Sequence, residues 1–147
     1  MTRDLPDLAA MERFGADIAA RLRAGDVIAL TGNLGAGKTT LARAIVTSLG
    51  YAGEVPSPSF TIIQTYDPPQ VTLPLVHADF YRLDDPAEAE ELGLDDYRDG
   101  AALIAEWPEK AGGFAHEPAC LTIRLEIADE GRKAVVAGGA DWQGRWP

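Results

Sequence analysis

The chain reads as an α/β protein, a mostly parallel sheet flanked by helices with added antiparallel strands. Two observations predict this. The first is a short apolar run, Asp26-Val27-Ile28-Ala29-Leu30-Thr31, leading into Gly32-Asn33-Leu34-Gly35-Ala36-Gly37-Lys38-Thr39 and then into a helical pattern. The octapeptide matches G-x-x-x-x-G-K-[ST], the phosphate-cradling P-loop, at every fixed position. Strand, glycine loop and helix stand in the order the motif requires, so the parallel part is P-loop NTPase-like. The second observation is a set of β-rich runs joined by turn sequences, which predicts hairpins beside the parallel strands.

Taken in order, Met11, Phe14, Ile18 and Leu22 fall at helical spacing with charged residues between them. They predict an amphipathic first helix, closed near Gly25. Asp26 to Thr31 is a buried strand. From Thr39 onward, Leu41, Ile45 and Leu49 share a helical face, and Gly50 terminates that helix. Val55-Pro56-Ser57-Pro58-Ser59-Phe60 is stiffened by its prolines and too polar for core. Phe60 to Tyr66 and Val71 to Val76, separated by Asp67-Pro68-Pro69, predict a hairpin. Asp84-Asp85-Pro86 opens a short acidic helix ending near Gly93. Ala101 to Ala105 reads as a buried parallel strand. In Cys120 to Ile127, Leu121, Ile123, Leu125 and Ile127 face one way and Thr122, Arg124 and Glu126 the other, a half-exposed strand. Asp129-Glu130-Gly131 turns into Lys133 to Ala137, a closing hairpin. The Gly-rich tail, 138–147, is expected to be flexible.

A chain of 147 residues, 46% hydrophobic, is expected to form one P-loop ATPase domain over 1–147. No apolar stretch approaches the roughly 20 residues that cross a membrane. Met1-Thr2-Arg3-Asp4-Leu5-Pro6 lacks the apolar region of a signal peptide. The single cysteine, Cys120, excludes an intramolecular disulfide and reads as a buried thiol. These features predict a cytoplasmic protein with no membrane partner. The net charge is −10 and no basic face is visible. Direct gripping of tRNA or DNA is disfavoured, because phosphate backbones are held by clustered Lys and Arg. Nucleic acid would enter through a partner.

Each fixed residue of the loop has a physical task. Gly32, Gly35 and Gly37 let the backbone curl so that successive N–H groups, across Asn33, Leu34 and Ala36 as well, point into one concavity. Lys38 reaches the β- and γ-phosphates, and the Thr39 hydroxyl suits Mg²⁺, which takes oxygen ligands. The helix N-terminus adds its dipole. A P-loop also needs an acid to hold Mg²⁺, commonly at the end of a neighbouring strand. Asp79 and Glu106 both follow apolar runs, and strand C-termini line the same crevice as the loop. His77 reads as a satisfied structural histidine and Trp107 as packing. Ser57, Ser59 and Thr61 form either a candidate switch sensing the γ-phosphate or a rigid surface turn. The cluster Asp84, Asp85, Glu88, Glu90, Glu91, Asp95 and Asp96 is either a solvated face or a dock for a basic partner. Guanine-specificity signatures are missing, which favours ATP. The alternative to an ATPase switch is a stand-alone small-molecule kinase. A kinase of this type carries lid arginines, whereas Arg82, Arg98, Arg124 and Arg132 are dispersed.

The P-loop followed by Ser57-Pro58-Ser59-Phe60-Thr61, His77-Ala78-Asp79-Phe80-Tyr81-Arg82-Leu83, Glu91-Leu92-Gly93-Leu94 and Glu106-Trp107-Pro108-Glu109 resembles the TsaE (YjeE) family of bacterial tRNA threonylcarbamoyladenosine formation. The resemblance runs from about the first helix to Arg132. It implies a P-loop sheet with added antiparallel strands and ATP hydrolysis that is weak alone and coupled to TsaB and TsaD. TsaD transfers threonylcarbamoyl to the adenosine 3′ of the anticodon; the TsaE partner supports or resets that machine. It further implies that Lys38 binds phosphate, Thr39 and Glu106 hold Mg²⁺, Asp79 supports hydrolysis, Thr40 lies in the nucleotide shell and Trp107 borders the site. Two positions depart from the family. Ser59 stands where threonine is common, keeping the hydroxyl. Met11 stands where threonine is also common, removing a polar group.

Overall fold

The computed structural model describes residues 1–59 and 61–147. The chain runs β1 (Thr2–Leu5), α1 (Leu8–Arg21), β2 (Val27–Thr31), α2 (Lys38–Ser48), β3 (Ile63–Tyr66), β4 (Leu75–Asp79), α3 (Ala87–Glu91), α4 (Leu94–Arg98), β5 (Ala102–Glu106), β6 (Cys120–Ile127) and β7 (Arg132–Gly138). Short 3₁₀ turns follow β5 and β7, at Pro108–Ala111 and Ala140–Trp142. The strands form one sheet in the order β1-β7-β6-β2-β5-β4-β3. Its centre, β6-β2-β5-β4, is parallel, and β7 and β3 join antiparallel on either side.

Alternation along the strands explains the layering. Ile28 and Leu30 of β2 and Ala102 and Ile104 of β5 pack with Phe14, Ile18, Leu41 and Ile45 of the first two helices. Val27, Ala29, Leu103 and Ala105 face the other way, against Phe80, Leu83, Leu94 and Phe114. A sheet covered on both faces needs strands apolar on both, which is why β2 and β5 are nearly continuous apolar runs. Helix α1 is capped by Asp7, whose carboxylate accepts from the Ala10 N–H at 2.8 Å. Met11, Phe14 and Ile18 are its buried face. It crosses α2 where a Cβ added at Gly15 would lie 2.5 Å from the Ala44 Cβ, so glycine is required for this approach.

Several expectations are corrected. The strand expected at Phe60 to Tyr66 begins only at Ile63; Phe60 lies outside the described residues, and Ile62 has φ 68, off the strand region. Its partner is Leu75–Asp79 rather than Val71 to Val76, because Pro74 has no N–H for a ladder and the strand starts after it. Val55, taken as part of a segment too polar for core, is buried. Ile127 does not continue the inward face of β6; it is 64% exposed, at the hairpin end opposite Arg132. Strand β1 and helix α4 carry too few buried residues to show a period and were not expected. β1 extends the sheet beyond β7, so β7 does not close it. Within residues 138–147, Trp142 and Arg145 are packed against the body of the fold. Trp142 is fully buried and donates its indole N–H to the Ala119 carbonyl at 2.8 Å. The Arg145 guanidinium spans both Asp26 oxygens at 2.9 Å and lies 4.2 Å from the Trp142 ring centre.

Candidate functional site

The C-terminal ends of the central parallel strands converge on the loop between β2 and α2. Gly32, Gly35 and Gly37 all have positive φ, at 135°, 79° and 106°, which is how the chain curls back on itself before α2. No side chain caps α2, so its first N–H groups are left for an anion. The loop is braced from β7. Arg132 donates from Nε to the Ala36 carbonyl at 3.1 Å and from Nη2 to the Gly35 carbonyl at 3.0 Å. Because the peptide unit is planar and trans, holding the Ala36 carbonyl turns the Gly37 N–H to the opposite side.

Beside the loop lies an open cleft of about 480 Å³. One wall is Leu34, Gly35, Gly37, Lys38, Thr39 and Thr40; the other is Ser59, Asp79, Tyr81, Arg82, Glu106 and Trp107. Lys38 is buried, donating to the carbonyls of Gly32 at 2.6 Å and Asn33 at 3.0 Å. Its ammonium sits 4.5 Å from the Trp107 ring centre. Burial lowers its pKa from the ordinary lysine value, opposed by the nearby carboxylates of Glu106, Asp79 and Glu109. Asp79 and Glu106 are register neighbours on parallel β4 and β5, and both are buried. Burial raises the Asp79 pKa, against the Tyr81 N–H that its Oδ1 accepts at 3.0 Å. Glu106 Oε1 accepts from the Thr39 hydroxyl at 2.7 Å, and its Oε2 lies 2.6 Å from His77 Nε2.

The structure thus brings Lys38, Thr39, Thr40, Asp79 and Glu106 to one cleft. Leu34 stands 67% exposed at its rim. Asn33 and Ala36 line a separate shallow pocket with Arg124 and Ile127. Trp107 leaves β5 with φ 55, uncommon for a residue other than glycine, and its ring meets Tyr81 at 4.9 Å between centroids. Ser59 reaches Asp79 Oδ2 at 3.5 Å and shares a 2.7 Å hydroxyl contact with Ser57. Thr61 is exposed, accepts from Gln64 at 2.8 Å and does not line the cleft. In the acidic cluster, Glu88 accepts the N–H groups of Asp84 and Asp85, a local helix cap. Met11 is buried beneath the loop, its methyl 3.1 Å from where a Gly37 Cβ would stand. The Arg132 brace and the His77 contact escaped sequence reading, since neither residue is close in the chain to what it touches.

Chemically the cleft offers amides and a lysine for phosphate oxygens and a hydroxyl beside two carboxylates. Those hard oxygen donors suit Mg²⁺, which takes one or two carboxylates and completes its shell with phosphate and water.

A family model described as "Threonylcarbamoyl adenosine biosynthesis protein TsaE" matches residues 5–135. The tRNA threonylcarbamoyladenosine biosynthesis protein TsaE of Haemophilus influenzae is 38% identical over 139 residues, covering 90% of this chain and 85% of that one. Its counterpart in Streptomyces coelicolor is 40% identical over 141 residues, covering 90% and 93%. The crystal structure of Bacillus subtilis YdiB aligns with a TM-score of 0.74 at 28% identity, over 99% of this chain and 88% of that one.

Proposed function

The chain belongs to the TsaE family of tRNA threonylcarbamoyladenosine biosynthesis, and from that membership we propose that it is the ATP-binding and ATP-hydrolysing component of the modifying assembly. The observation that carries this reading is the 2.7 Å contact between the Thr39 hydroxyl and Glu106. It joins the phosphate loop to a strand-end carboxylate in the cleft that Lys38 also lines.

The amides of Leu34, Gly35 and Gly37 and the α2 N-terminus would cradle the phosphates, and Lys38 would reach the β- and γ-oxygens. Thr39 and Glu106 hold Mg²⁺. That ion, when bound, neutralises charge on the phosphate oxygens. Asp79 stands beside Glu106 with an oxygen that can accept a hydrogen bond from the attacking water and so orient it. Thr40 belongs to the nucleotide shell, and Tyr81 and Trp107 border it. Ser59, which contacts Ser57 and Asp79, would sense the γ-phosphate. TsaB and TsaD are the partners, tRNA is met only through them, and the assembly works in the cytoplasm. Among the described residues no helix is long and apolar enough to cross a membrane.

The test is ATP turnover and nucleotide affinity of the wild type and Lys38→Ala, alone and with purified TsaB–TsaD, with tRNA alone as a control. Removing a charged donor to the transferring phosphate should lower turnover by about 100- to 1,000-fold. Wild-type turnover and affinity in Lys38→Ala, or tight tRNA binding without the partners, would defeat the proposal.

A further inference from the structure

We propose that His77 is a positioning residue for Glu106, fixing its carboxylate towards Thr39 and so setting the Mg²⁺ affinity of the nucleotide site. This rests on the reading of the cleft as a Mg²⁺–ATP site. In β4 and β5 the parallel register sets His77 beside Ile104 and Asp79 beside Glu106. Alternate residues share a sheet face, so Leu75, His77 and Asp79 lie on the face that also carries Ala102, Ile104 and Glu106. Leu75, Ala102 and Ile104 belong to the core under α1 and α2. An imidazole in that row is fully buried where its neighbours are aliphatic. Burying a polar ring is unfavourable without a hydrogen-bond partner.

The partner is Glu106 Oε2, at 2.6 Å. The other ring nitrogen, Nδ1, is buried with no partner among the described residues. The tautomer that orphans no N–H therefore carries its proton on Nε2 and donates it to the carboxylate. Such a bond orients Glu106 and leaves its negative charge for a cation. Both carboxylate oxygens are then assigned. Oε1 meets Thr39 at the cleft, and Oε2 is tied beneath the surface. Of these two contacts the one with Thr39 lies at the cleft, where Thr39 and Glu106 would hold the ion, and the His77 contact is the fixed point. Partners that orient a metal ligand in this way change metal affinity by roughly 10- to 100-fold when removed.

The experiment compares wild type, His77→Leu and His77→Gln. The readout is calorimetric binding of a non-hydrolysable ATP analogue across a Mg²⁺ series, with a metal-free titration in chelator. His77→Leu fills similar volume without a donor, so its Mg²⁺ midpoint should rise roughly 10-fold or more while metal-free affinity stays unchanged. His77→Gln places an amide N–H near the Nε2 position and should recover most of the shift. An unchanged midpoint in His77→Leu overturns the proposal, since a histidine kept for packing alone would behave that way. If His77→Leu does not fold, His77→Asn, whose amide is too short to reach Oε2, is compared with His77→Gln, and equal midpoints overturn it. Mg²⁺-insensitive binding in the wild type would overturn the Mg²⁺–ATP reading itself. Insensitive variants beside a sensitive wild type overturn the role of His77 alone.

Discussion

Replacing Arg145 with methionine should destabilise the protein without touching the cleft beside the glycine loop. The guanidinium meets Asp26 through two 2.9 Å bonds and also donates to the Arg21 carbonyl at 2.7 Å. Asp26 is 3% exposed and Arg145 9%. Without the guanidinium, the carboxylate keeps the Arg23 N–H, at 2.7 Å. Stranding a buried charge by removing its partner costs about 3–5 kcal/mol. In a chain of 147 residues, each kcal/mol moves Tm by about 2–4 °C, so Arg145→Met should melt on the order of 10 °C lower. The pair sits before β2 and the phosphate loop follows it, about 17 Å away along a strand of this length. Nucleotide affinity at a temperature where the variant is folded should therefore match wild type. The double variant Asp26→Leu/Arg145→Met removes both charges and should regain most of the loss, because an apolar pair of similar volume substitutes for a buried ion pair. The assay is thermal and urea unfolding of the two variants beside Asp26→Leu. A melting point for Arg145→Met within about 1 °C of wild type would refute the reasoning, as would a double variant less stable than either single one.

Two further outcomes follow from the cleft. Asp79 has its pKa raised by burial and by Glu106, so the folded state holds that proton more tightly than the unfolded state, and stability falls as pH climbs from the ordinary value of 3.8 through the raised one; Asp79→Asn should remove that fall and melt higher than wild type at neutral pH, checked by melting curves from pH 3 to 8 in nucleotide-free protein. Arg132→Met releases the Gly35 and Ala36 carbonyls and should weaken ATP-analogue binding by roughly tenfold, about 1.4 kcal/mol, a modest figure for charge-assisted bonds at a partly exposed site; calorimetry that finds equal affinity would show the brace to be incidental.

What the sequence made legible was local. The phosphate loop is eight consecutive residues, and the helix over Met11, Phe14 and Ile18 shows its period within three turns. The acids at the ends of β4 and β5 stand out because apolar runs precede them. What stayed hidden depends on contacts between distant segments. Arg132 meets Gly35 across 97 positions and His77 meets Glu106 across 29. Those encounters are created by sheet order and parallel register, which no periodicity within one segment encodes. The anchors of the tail are hidden for a related reason. Its glycines suggest looseness, while its anchors, Trp142 and Arg145, find their partners at Ala119 and Asp26 only once the sheet exists. Thr61 is near Ser57 and Ser59 in the chain, yet it does not line the cleft.

The two bonds from Lys38 to the loop's own carbonyls bear on how a phosphate would be received. An ammonium already satisfied by Gly32 and Asn33 and resting over Trp107 does not gain its full attraction for an arriving anion; it trades one set of partners for another. The net favourable change is a difference, smaller than either interaction alone. The same lysine ties the carbonyls of Gly32 and Asn33 together within the curl of the loop. Any gain in phosphate affinity from Lys38 would therefore be reduced by the two bonds it gives up.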